Sequence, residues 1–239
     1  KLIDILEPKQ DDIIIDFFAG SGSMGHTVLN YNLNSVNSDL RYILIQLPEL
    51  LDPKKSLQRV AVEFLDSIGK PRNIAEITKE RMRRVAAKIK EENPDYEGDL
   101  GFKVFKLDSS NIKAWDGGTE DLQKSLEDYV NHIKDDRTSS DILYEMMLKS
   151  GIELTADIQT VEVGGNKVLS VDGCRLLTCL DDEIKSDAIN DVASKMIELK
   201  KENTDVECTV LFLDKAFPDD SAVLNITETL KQSGIDNIR

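Results

Sequence analysis

Cysteine and histidine are scarce in this chain. Cys174, Cys179 and Cys208 form an odd set with no CxxC spacing, and the two histidines, His26 and His132, lie far apart. That pattern excludes a disulfide framework and offers no metal-ligand spacing, so buried reduced thiols and no metal site are expected. Long hydrophobic runs are missing too: nothing approaches the ~20 apolar residues of a membrane span. The opening KLIDILEPKQDD has no charged-then-apolar signal pattern. A cytoplasmic protein with no membrane contact is therefore expected. Positive charge is in short supply, with 30 Lys and Arg against 45 Asp and Glu, a net charge of −15 and a pI of 4.6. Phosphate contacts come from Lys and Arg, so this surface is not built to wrap nucleic acid, and any grip on DNA must be local or come from other regions.

One stretch departs from that balance. Arg72 to Lys90, RNIAEITKERMRRVAAKIK, holds seven basic and two acidic residues, a local +5 in a chain otherwise at −20. Ile74, Ile77, Val85 and Ile89 give it one apolar stripe, which predicts an amphipathic helix with a solvated basic face.

With 239 residues, 40% of them hydrophobic, the chain can form one large domain or two modest ones. It begins in an amphipathic pattern, Leu2, Ile3, Ile5 and Leu6, with no Met, and reads as part of a longer protein. From there a strand IIIDFF, a turn AGSGSMG, a helix HTVLNYNLN and a strand RYILIQL make a βαβ unit. A connection with one helical stretch, the basic helix and a third strand GFKVFKL (Gly101 to Leu107) complete a half-sheet. A boundary at AWDGGTED divides the chain into residues 1–115 and 116–239. The second part reads as a smaller α/β domain. It has helices over LQKSLEDYVNHIK and DILYEMMLKSG, a hairpin over Thr160–Val171 turning at Gly164, Gly165 and Asn166, and a strand-helix-strand-helix run to the end.

GSGSMG, Gly20 to Gly25, satisfies GxGxxG. A strand that runs through a glycine turn into a helix presents backbone N–H groups at the positive end of the helix dipole. Such a turn takes a dinucleotide pyrophosphate or the carboxylate of S-adenosylmethionine. Asp16, at the strand end, would repel a pyrophosphate but meet the ammonium of a methionyl group. The second strand offers Gln46 where a dinucleotide site wants an acid for the ribose. Both residues favour the methyl donor. An interaction module with a vestigial turn and a dinucleotide-binding oxidoreductase fragment remain as alternatives.

DDIIIDFFAGSGSMGHTVLNYN followed by RYILIQLPE resembles motif I and the next strand of β-class DNA amino-methyltransferases. The resemblance is strongest to the modification subunit of type III restriction-modification systems, an adenine-N6 methyltransferase. EITKERMRRVAAKI, GFKVFKLDSSNIKAW, LYEMMLKSGIEL and DKAFPDDSAVLNITETLKQSGI also resemble that subunit, in its C-terminal portion. The resemblance implies a partial Rossmann-like S-adenosylmethionine-dependent methyltransferase sheet followed by a smaller α/β C-terminal domain. It places Asp16, Phe18, Gly20, Ser21 and Gly22 against the cofactor and Gln46 at its ribose; Ser23 and Met24 replace the more usual Thr-Thr. Asp108 is a candidate adenine-side contact, or else a turn-forming Asp in LDSSN. The family's catalytic (D/N/S)PP(Y/F/W) motif precedes motif I, and none of the six prolines here is adjacent to another. No catalytic residue is therefore assigned, and the chain alone is expected to be inactive. The implied partners are DNA, held through upstream regions of the parent protein, the restriction subunit, and a second copy in a homodimer.

Overall fold

The computed structural model describes residues 3, 5, 7–35, 38–113, 133–203 and 206–238. His132 and all but the last two residues of the helix expected over LQKSLEDYVNHIK lie outside them. The chain is a mixed α/β protein of two units, Lys1–Val104 and Phe105–Arg239.

In the first unit, strand β1 (Ile13–Asp16) pairs in parallel with β2 (Arg41–Leu44). Helix α1 (Ser23–Asn34) connects them, as a parallel pair requires. Asn32, buried near the end of α1, fixes the return: its Nδ2 donates to the Leu40 carbonyl at 2.9 Å and its Oδ1 accepts the Leu40 N–H at 3.0 Å. Helices α2 (Ser56–Ser67) and α3 (Ile74–Glu92) follow, the latter capped by Asn73, whose side chain accepts the Glu76 N–H. Leu29 of α1 packs with Met82, Val85 and Ile89 of α3, joined by Tyr42 and Leu44 of β2. The opposite face of the strand pair is open. Ile13, Ile15, Ile43 and Ile45 are each 43–48% exposed, whereas parallel strands are ordinarily covered on both faces.

Helix α3 is amphipathic as expected, with its stripe shifted. Thr78, Met82, Val85 and Ile89 are the buried positions, and Ile74 and Ile77 are half-buried. Many basic residues around it are paired nearby. Arg84 binds Glu80 at 2.7 Å and lies 4.8 Å over the Phe64 ring, Arg72 binds Asp66 at 2.7 and 2.9 Å, and Lys79 pairs with Glu76.

The expected third strand is not formed: residues 101–107 join no ladder. The two aromatic residues of GFKVFKL go to different units. Phe102 packs with the Leu29–Met82 cluster, while Phe105 meets the Tyr144 ring edge-on at 4.9 Å in the second unit.

In that second unit a five-stranded sheet runs β3 (Ile158–Val163), β4 (Asn166–Val171), β5 (Leu176–Cys179), β6 (Thr209–Phe212) and β7 (Asn237–Ile238), in that spatial order. The first two pairings are antiparallel and the last two parallel. β3 and β4 are joined by a two-residue turn, with Val163 opposite Asn166. Gly164 and Gly165 sit at φ +59° and +82°, the two positive angles such a tight hairpin needs. Helix α4 (Ser139–Lys149) starts in a Thr138–Asp141 capping box. It ends at Gly151, where the Gly151 and Ile152 N–H groups return to the Leu148 and Met147 carbonyls. Helices α5 (Ile189–Glu202) and α6 (Asp220–Gln232) provide the crossovers for the parallel pairs. All four residues of β5 are buried in a core that includes Val168, Val192, Met196, Val210 and Ile226.

Candidate functional site

β1 ends at Asp16 because Phe17 and Phe18 turn away from the ladder. The Asp16 carboxylate accepts the Phe18 N–H through Oδ1 at 3.1 Å, which leaves the Phe18 side chain 91% exposed. The tail of β2 follows the turn: the Ile45 N–H donates to the Asp16 carbonyl at 2.8 Å and the Ala19 N–H to the Ile45 carbonyl at 3.2 Å. This brings Gln46, the next residue, to the turn. Its side-chain Oε1 accepts the Gly20 N–H at 2.7 Å, while its Nε2 donates to the Leu47 carbonyl. Asp16, Phe18, Gly20, Ser21, Gly22 and Gln46 thus converge at the C-terminal ends of two adjacent strands.

Gly20 and Gly22 have φ +53° and +79°, the left-handed region that side chains disfavour. The Gly22 N–H closes the turn on the Ala19 carbonyl at 2.7 Å. Gly22 is also the N-cap of α1, with no side-chain cap and no acidic residue in the first turn of that helix. The first N–H groups of a helix have no partner within it, so α1 turns a partial positive charge toward the turn with no protein carboxylate in its first turn to meet it. Gly25 serves packing, since a Cβ there would come within 2.8 Å of Leu44 Cδ1 and 2.9 Å of Met82 Sδ.

Helix α3 adds two residues that the sequence did not single out. The Thr78 hydroxyl donates to the Gly20 carbonyl, and Arg81 Nη2 donates to Ser21 Oγ at 3.2 Å. They lie 58 and 60 residues beyond their partners, in a segment that the sequence marked as a basic amphipathic helix without pointing to either residue. Arg81 also borders a groove of about 430 Å3 lined by His26, Phe64, Arg84 and Lys88, among others. Burial first, then Arg81 and Lys88, lowers the His26 pKa.

Asp108 lies in the second unit. Its carboxylate accepts the Ser109 N–H at 2.7 Å and pairs with Arg137 at 3.2 Å, and these bonds hold its pKa below the ordinary aspartate value. Both partners belong to the second unit as well. The three thiols are buried, and burial pushes Cys179 and Cys208 up to about 11.

The chain is similar to the Mod subunit of the StyLTI type III restriction-modification enzyme of Salmonella typhimurium, 26% identical over 201 residues, covering 74% of this chain and 29% of that protein. It is similar as well to the Mod subunit of EcoP15I from Escherichia coli, 30% identical over 164 residues, covering 68% and 22%. The chain is a relative of type III restriction-modification Mod subunits. It spans less than a third of the length of these curated relatives. No family model matches it. The family is the one that the glycine turn and the downstream segments resemble, and the kinship supports a methyltransferase-related role. Among the described residues, no helix is long and apolar enough to cross a membrane.

Proposed function

We propose that this chain is the donor-binding and C-terminal part of a site-specific DNA adenine-N6 methyltransferase of a type III restriction-modification system. The observation that carries the reading is the junction of Asp16, the Gly20–Gly22 turn and Gln46 at the ends of two parallel strands, in a relative of Mod subunits. The residues present fit S-adenosylmethionine. The Asp16 carboxylate suits an ammonium, and the uncapped start of α1 suits a carboxylate. Gln46 retains a second amide proton and a second lone pair for ribose hydroxyls. When bound, S-adenosylmethionine supplies an electrophilic methyl group for attack by the exocyclic amine of adenine. The chain's own part is to hold and orient the donor.

The acceptors that would align a flipped adenine's amine belong to a (D/N/S)PP(Y/F/W) motif, which these 239 residues do not contain. The chain alone therefore binds the donor weakly and does not methylate DNA. Residues 1–115 form the cofactor-binding part of a Rossmann-like methyltransferase domain, and residues 116–239 an α/β domain for assembly. In the parent protein, DNA, a restriction subunit and a second modification subunit are the partners, in the cytoplasm.

A second reading, a non-catalytic interaction module with a vestigial turn, draws support from the Gly20 and Gly22 N–H groups, both already bonded within the protein. Nothing in the kinship supports the oxidoreductase alternative. Calorimetry with S-adenosylmethionine and S-adenosylhomocysteine separates the first two. Saturable heat is expected from the donor site, and its absence at millimolar ligand favours the module. Transfer of labelled methyl to adenine by the chain alone would overturn the division of labour proposed here.

A further inference from the structure

A threonine in the middle of a helix ordinarily returns its hydroxyl to the carbonyl four residues back. At Thr78 that carbonyl, Ile74 O, is 3.3 Å away, and the shorter bond leaves the helix for the Gly20 carbonyl at 2.5 Å. A hydroxyl has one proton to donate, and the distances assign it to Gly20. The methyl group of the same side chain lies under Gly22, 3.0 Å from where a Cβ would stand. Thr78 is buried, so its hydroxyl has no ready exchange with solvent. One helical turn on, Arg81 reaches the Ser21 hydroxyl. Helix α3 therefore touches three consecutive residues of the turn. Both peptide groups that flank the Gly20 Cα are held, the N–H of one by Gln46 and the C=O of the other by Thr78.

We infer that Thr78 is a positioning residue: it touches no ligand itself but fixes the Gly20–Gly22 turn in the conformation that receives one, with Arg81 as a lesser support. The consequence for ligand affinity rests on the donor reading proposed above; the consequence for the turn does not.

Thr78→Val keeps the shape and the methyl group and removes only the hydroxyl, while Thr78→Ser keeps the hydroxyl. In Thr78→Val, amide hydrogen exchange at Gly20 and Gly22 should accelerate about fivefold, the value of one ordinary hydrogen bond. Binding of S-adenosylmethionine should weaken by about the same factor. Thr78→Ser should restore both to within about twofold of the wild-type chain, an outcome that a purely packing role would not give. Unchanged exchange in Thr78→Val, or a serine variant as impaired as the valine variant, would overturn the inference. If the wild-type chain gives no saturable heat with S-adenosylmethionine, the donor reading fails, and the exchange measurement still decides the role of Thr78.

Discussion

The side-chain oxygen of Gln46 accepts the backbone N–H of Gly20 across 26 residues of chain, at 2.7 Å. Sequence resemblance gives Gln46 a ribose-facing role, and the structure gives it a grip on the turn as well. Gln46→Ala leaves the part-buried Gly20 N–H without its acceptor, and should cost about 1–2 kcal/mol in denaturant unfolding. Gln46→Glu keeps an acceptor for the Gly20 N–H but loses the Nε2 donation to the Leu47 carbonyl, and should fall between the alanine variant and the wild type. If the alanine variant is as stable as the wild type, the bond contributes nothing.

Gly22 combines a φ of +79° with a methyl group 3.0 Å from its missing Cβ. Gly22→Ala should lose roughly 1–3 kcal/mol, as side chains forced into this region do. Thermal melts of this variant should therefore fall clearly below the wild type.

In the second unit, Glu145 of α4 accepts from the Ser110 hydroxyl at 2.6 Å, the Asn111 N–H at 2.7 Å and Lys149 at 2.8 Å. Burial works to raise its pKa, but these bonds prevail and take it from 4.5 down to about 2. A carboxyl depressed on folding contributes its stability above the unfolded value, and loses it as protons bind the folded form. The contribution should be whole above about pH 4.5 and vanish toward pH 2. Glu145→Gln should be less stable than wild type at pH 7, and the gap should close on acidification. A gap independent of pH would assign the effect to packing.

The thiols of Cys179 and Cys208 are raised to about 11, mainly by burial, and nucleophilic reaction needs the thiolate. Alkylation at pH 8 should leave both unmodified over hours and label them promptly in denaturant. Rapid labelling of the native chain would show that the core around β5 and β6 opens readily.

Local signals were legible in the sequence wherever backbone chemistry decided the outcome. The glycines at 164 and 165 announced the hairpin, although Asn166, expected in the turn, pairs with Val163 as the first residue of β4, and Gly151 closed α4 as its position suggested. The run from Asp16 to Gly22 announced the strand-turn-helix. GFKVFKL was misread because its loose alternation resembles a strand, whereas Phe102 packs with the cluster around Leu29 and Met82 and Phe105 lies edge-on against Tyr144 of the second unit. Thr78 was invisible for another reason. Its partner is 58 residues away, and a threonine on a helix stripe looks the same whether its hydroxyl bonds inward or to a distant loop. The family, in contrast, was legible from motif I and several downstream segments together.

The bonds on Gly20 also bear on the order in which this protein folds. Neither partner is local, so the turn cannot reach its final geometry as an isolated β1–turn–α1 segment, however favourable its glycines. During synthesis it waits for β2 to pair and then for α3 to be made and docked, and long-range closure of this kind is intrinsically slower than local structure. A ligand that requires the finished turn would bind only after α3 is in place, and it would tie the β1–β2 ladder and α3 into one cooperative unit.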